Sequence, residues 1–287
     1  MKQKSMRLPI AVTLLVFACS ANAGACNNPP SESSPGFTVG AYDPTAGSTN
    51  ITSTTLSGTC TKTGGNTTTY TVAAGTGLNF SGTNRAKFGA ANFINYFVST
   101  SAACGNTWNA ANPITLSFTA SGTQMATFYG CVTSGQFVAA GTYSDTVIMS
   151  TVNNGVTTAN AGTFAVSITV ASVCNLTTAP GTITFNYTAF GGVATGNTTF
   201  RVTCNPSLPY SADIGGGATG GGVVSGLNYL LGINTIGTGG TNPLGGTGSG
   251  AAQTLFINGT MAAGQAGTCA GSTCLLVTDP RTLTITY

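Results

Sequence analysis

The sequence predicts an all-β protein made of two tandem β-sandwich domains, the second lacking its last strand. Three observations point there: runs in which apolar residues alternate with Thr or Ser, an internal duplication, and an even set of cysteines behind an export signal. The clearest alternation closes the chain, where Leu283, Ile285 and Tyr287 interleave with Thr282, Thr284 and Thr286. A period of two is the spacing of side chains on one face of a strand, so this segment reads as a half-buried strand.

Residues 1–23 read as a signal peptide. Lys2, Lys4 and Arg7 precede an apolar run from Leu8 to Ala18, and Ala21-Asn22-Ala23 is a small-x-small cleavage site. The apolar run is too short to span a bilayer, so cleavage and export are expected. The formal charge of +3 comes from 8 Lys and Arg against 5 Asp and Glu, and Lys2, Lys4 and Arg7 account for the surplus. The mature chain is neutral with scattered charges, which removes the electrostatic ground for binding nucleic acid or an anionic membrane.

Beyond Cys19, which leaves with the signal, the cysteines are Cys26, Cys60, Cys104, Cys131, Cys174, Cys204, Cys269 and Cys274. An even set in an exported chain with 0 His points to disulfides rather than metal. No two close CxxC-type spacings offer a thiolate zinc site.

The duplication pairs "CTKTGGNTTTYTVAAG" from Cys60 with "CNPSLPYSADIG" from Cys204, and "INYFVST" (Ile94 to Thr100) with "LNYLLGIN" (Leu227 to Asn234). "TFYGCVTSGQFVAAG" then answers "TLFINGTMAAGQAG", and "SDTVIMSTV" lines up with "TDPRTLTITY". Two domains follow, 24–170 and 171–287. Equivalence makes Cys26–Cys60 and Cys174–Cys204 matching disulfides. Cys104–Cys131 and Cys269–Cys274 follow by elimination, because spacing alone does not fix connectivity. Each bridge contributes about 2–4 kcal/mol by restricting the unfolded chain.

The copies differ after their last shared strand. The first continues through "NNGVTTANAG" into "GTFAVSITV", where Phe164, Val166, Ile168 and Val170 share one apolar face. This strand is expected to return to the first domain and fill it. The second copy stops at Tyr287, so Thr282 to Tyr287 is expected to leave a groove and a sheet edge open. An open edge invites aggregation unless a partner covers it, and β-strand addition is the mode that covers one.

"TYSDTVIMSTV", the cysteine before "YTV", the "NYFV" phrase and the terminal "TLTITY" together resemble the spore coat protein U domain family, which includes subunits of archaic chaperone–usher pili. The resemblance implies immunoglobulin-like sandwiches. A periplasmic chaperone lends the missing strand, and the N-terminal extension of an adjacent subunit later replaces it during assembly at an outer-membrane usher. Thr282 to Tyr287 match the edge strand that the chaperone pairs with. Only Gly24 and Ala25 separate the cleavage site from Cys26, too few for a donor strand. A two-domain tip adhesin is the expectation, exported through the periplasm to the cell surface and serving attachment and biofilm formation. The alternative is a spore-coat-like or shaft protein without specific binding.

No enzyme is expected. Without histidine there is no Ser–His or Cys–His nucleophile, and the five acids form no evident pair. Asp145 and Asp279 occupy homologous positions suited to structural hydrogen bonds. The glycine runs lack the GK[ST] of a phosphate loop, and no cofactor is implied. For the binding surface, a host or abiotic one, Trp108 in "CGNTWNAANP" and Phe137 and Val138 in "GQFVAAG" are the candidates for an apolar contact patch. The competing expectation is that they fill the first domain's core.

Overall fold

The computed structural model of the protein describes residues 25–34, 36–153, 156–268 and 278–287. The signal segment and the Cys269–Cys274 pairing lie outside the described residues. The first half contains β1 (Ala25–Ser33), β2 (Phe37–Tyr42), β3 (Asn50–Thr63), β4 (Thr68–Gly77), β5 (Asn84–Phe88), β6 (Asn92–Ser99), β7 (Ile114–Phe118), β8 (Gly122–Val132), β9 (Gly141–Asn153) and β10 (Val156–Val170). The second contains β11 (Cys174–Thr178), β12 (Ala194–Cys204), β13 (Pro209–Asp213), β14 (Gly222–Val224), β15 (Leu227–Asn234), β16 (Leu244–Thr247), β17 (Gln253–Met261) and β18 (Thr284–Thr286).

In the first half, β1-β3-β8-β6-β5 are hydrogen-bonded in that order, and β7-β4-β9-β10-β2 form the facing row. The second half repeats the plan as β11-β12-β17-β15-β14 and β16-β13-β18. The correspondence stops at β18: β9 continues into β10 and β2, whereas β18 ends its row.

Alternation builds the core. Along β9, Tyr143, Asp145, Val147, Met149 and Thr151 are buried, and the residues between them are not. β10 turns Phe164, Val166, Ile168 and Val170 inward, none more than 2% exposed. It lies antiparallel to β9 and parallel to β2, with Val166 opposite Phe37, Ile168 opposite Val39 and Val170 opposite Tyr42. A strand that pairs on both edges and buries four apolar side chains completes both the row and the core of this half.

Each half has its own apolar cluster, one spanning Cys26 to Val170 and the other gathering Phe200, Val202, Leu227, Ile233 and Leu255. Cys26–Cys60, Cys104–Cys131 and Cys174–Cys204 are bonded. Where the halves meet, the buried Asn205 accepts from Val173 N at 2.6 Å and donates through Nδ2 to Val138 O at 2.6 Å.

Candidate functional site

The two copies carry the same side-chain fastenings, which fixes their residue-by-residue equivalence. In the first, Tyr42 Oη accepts from Gln136 N at 3.0 Å, and the Gln136 amide brackets Asn95 through Asn95 N to Oε1 and Nε2 to Asn95 O. In the second, Tyr187 Oη accepts from Gln265 N at 2.7 Å, and Gln265 brackets Asn228 in the same way. Tyr96 Oη donates to Asp145 Oδ2 at 2.6 Å, and Tyr229 Oη is bonded to Asp279 Oδ2. So 183–187 corresponds to β2, and 279–287 corresponds to 145–153 of β9.

The environments of these equivalent segments differ. Phe37, Val39 and Tyr42 are covered by β10. Ile183 and Phe185 are only half-buried, and 181–187 takes no strand pairing, though Ile183, Phe185 and Tyr187 alternate as a strand would. Between this segment and 278–283 lies a cleft of about 670 Å³. Its apolar wall includes Ile183, Phe185, Tyr187, Leu227 and Leu283, and its polar end is formed by Tyr229, Asp279 and Arg281. The cleft occupies the place that β10 fills in the first half. Among the described residues no strand lies in it.

The terminal segment is a shorter strand than the sequence pattern suggests. Only Thr284, Ile285 and Thr286 pair, with Asp213, Ala212 and Ser211 of β13; Thr282, Leu283 and Tyr287 lie outside the ladder. A neighbour on one side only explains this, since β9, which keeps its full length, pairs on both.

The polar pairs also differ between the halves. Asp145 is 6% exposed and is held by Tyr96, Asn79 N and Asn79 Nδ2. Gly77 passes so close that a Cβ there would sit 1.9 Å from Asp145 Oδ2, which requires glycine. Burial, followed by the hydrogen bond to Asp145, pushes the Tyr96 hydroxyl far above the ordinary tyrosine range. Burial alone pushes Tyr143 up to about 12, and Tyr42, Tyr210 and Tyr229 also move upward, chiefly through burial. A raised folded value keeps its stability below the ordinary value of 10.0 and loses it as pH climbs through the folded values. The melting temperature is therefore expected to stay level from about pH 7 to 9 and to fall above about pH 10. Spectrophotometric titration should show part of the tyrosine absorbance change appearing only with unfolding.

Of the three candidates for the contact patch, Trp108 lies in the core rather than on the surface. Trp108 is 1% exposed; its ring stacks on Phe164 at 5.8 Å and meets Phe128 at 4.7 Å, and Nε1 donates to Val72 O at 2.8 Å. It is a core residue, because the loop after β6 folds back through the Trp108 N to Val98 O bond and places the indole between the sheets. Phe137 and Val138 are half-buried, and Val138 packs on the first core while its carbonyl binds Asn205 of the second half. Exposed apolar side chains lie elsewhere, at Leu78, Phe80, Met125 and Val156.

Sequence reasoning also missed Ile183, Phe185, Tyr187 and Arg281 as groove residues. The alternation in "TITFNY", set against "FTVGAY" of the first copy, was the available signal.

No curated protein sequence matches the chain. Among solved structures it is similar to the CsuC–CsuE chaperone–tip adhesion subunit pre-assembly complex from the archaic chaperone-usher Csu pili of Acinetobacter baumannii, at 12% identity and a TM-score of 0.46, over 84% of this chain and 92% of that one. It is also similar to the CupB6 tip adhesin of Pseudomonas aeruginosa, at 9% identity and a TM-score of 0.38, over 85% and 92% of the two chains. Residues 10–150 match the Spore Coat Protein U domain.

Proposed function

We propose that the protein is a strand-accepting subunit of a chaperone–usher pilus, acting as its tip adhesin in surface attachment and biofilm formation. In this reading 24–170 is an adhesin domain completed by its own β10, and 171–287 is a pilin domain that receives a strand from outside. The observation that carries it is the cleft between 181–187 and 278–283, which repeats the seat of β10 with apolar walls and takes no strand from the described residues. A periplasmic chaperone occupies that seat first, and a neighbouring subunit occupies it after passage through an outer-membrane usher. The chain acts by binding, with no chemical step.

An epitope placed in the exposed turn at Gly64 and Gly65, between β3 and β4, tests the position in the fibre. Gold-labelled antibody is expected at one end of each pilus. Label along the whole length identifies a shaft subunit and overturns the tip assignment. Deleting the chain is expected to abolish attachment to plastic or host surfaces. Normal attachment by cells lacking it overturns the adhesive role.

A further inference from the structure

The groove differs from its filled counterpart at one decisive position. The shared Tyr–Asp pairs set Asp279 against Asp145, and the strand registers agree: Tyr70 stands opposite Asn153, and Ser211, next to Tyr210, stands opposite Thr286. Counting along the strand, Arg281 takes the place of Val147, and Leu283 that of Met149. Val147 is fully buried and faces Phe164 across the β9–β10 ladder, an apolar pair. Arg281 is built into a polar bridge instead. Its Nε donates to Tyr229 Oη at 2.9 Å and lies 3.4 Å from Asp279 Oδ2. Its Nη2 donates to Gly221 O at 2.6 Å, reaching the opposite sheet across the groove. The guanidinium also lies 5.4 Å from the Tyr229 ring centre.

We propose that Arg281 dictates the side chain of the incoming strand at this register. Opposite Arg281 the occupant carries a small residue with an oxygen acceptor, Ser, Thr, Asn or Asp, where the first half carries Phe164. This rests on the strand-acceptor reading and adds a specificity to it. A guanidinium has five N–H donors, and two are engaged by the described residues. Covering the remainder with an aromatic ring buries donors without partners, whereas an acceptor oxygen satisfies them through a charge-assisted bond. Arg281 is also longer than the valine it replaces, which leaves less room for an aromatic partner. The neighbouring positions stay apolar, because Ile183, Phe185 and Tyr187 line the rest of the seat. The first half's own strand is therefore a poor fit for the second half's groove, which discourages the two from exchanging.

The test uses the mature full chain and two fluorescent peptides, Gly162–Val170 and the same peptide with Phe164→Thr, read by anisotropy. The Thr peptide is expected to bind about ten-fold more tightly or better, the scale of one unsatisfied buried polar group. On the Arg281→Val chain the preference is expected to reverse. If that variant does not fold, the ranking on the unaltered chain decides alone. Equal affinity of the unaltered chain for both peptides overturns the role of Arg281 and leaves the groove as a strand acceptor. Binding of neither peptide overturns the strand-acceptor reading, and this inference with it.

Discussion

Trp108→Ala is expected to destabilise the first half by about 3–5 kcal/mol, the cost of deleting a fully buried large aromatic. The indole touches the rings of Phe128 and Phe164, and its loss also removes the Nε1 hydrogen bond to the Val72 carbonyl. Losing that bond adds about 0.5–1.5 kcal/mol. Against a total of roughly 5–15 kcal/mol for a native protein, this is enough to unfold much of the population at 37 °C. Urea titration of the mature protein measures it, and the chain's 1 Trp makes the parent's fluorescence a direct reporter of this site. Emission should be blue-shifted and resistant to iodide quenching until the first half unfolds. An exposed, readily quenched indole, or a Trp108→Ala protein of unchanged stability, would return Trp108 to the list of surface contacts. By contrast, Phe137→Ser should cost less, since Phe137 is only half-buried.

Much of this architecture was legible in the residues. Alternation gave the all-β class, because strands buried on one face must repeat every second residue, as along Phe164, Val166, Ile168 and Val170. The duplication was legible through short phrases at the strand ends, and the fastenings explain why they persist. Asn95, Tyr96 and Gln136 hold the first half together, and Asn228, Tyr229 and Gln265 do the same work in the second. Cys26–Cys60 and Cys174–Cys204 follow the same logic of equivalent strands.

What stayed hidden was depth and tertiary partnership. The composition around Trp108 is that of a turn, and nothing local says that the turn folds inward. The groove wall at Ile183, Phe185 and Tyr187 alternates like a strand, yet the segment takes no strand pairing, because pairing needs a neighbour that local sequence does not specify. Arg281 reads as an ordinary surface charge until Val147 is seen to occupy its place in the other copy. In each case the missing information is what lies across the sandwich, a distance in space that no spacing along the chain encodes.

If the cleft is the seat of a strand, supplying one in cis should stabilise the second half by a large margin. Asn153 and Tyr287 occupy equivalent positions, so residues 156–170 carrying Phe164→Thr, joined to Tyr287 through a two-residue link, match in length the strand that completes the first half. Three apolar side chains, those of Val166, Ile168 and Val170, would then pass from water into the groove. Each contributes about 1.5–3 kcal/mol when fully buried. At roughly 4–8 °C per kcal/mol for a domain of this size, even half of that sum raises the second half's melting temperature by more than about 10 °C. Differential scanning calorimetry of the extended chain would show the transition of the second half moving up, with that of the first unchanged. A control extension with Ser at the three apolar positions should leave both where they were, since its backbone can pair but brings nothing to bury. Equal shifts from both extensions would mean that the added length, rather than the groove, is responsible. No shift from either would mean that the cleft does not take a strand in the register that the first half uses.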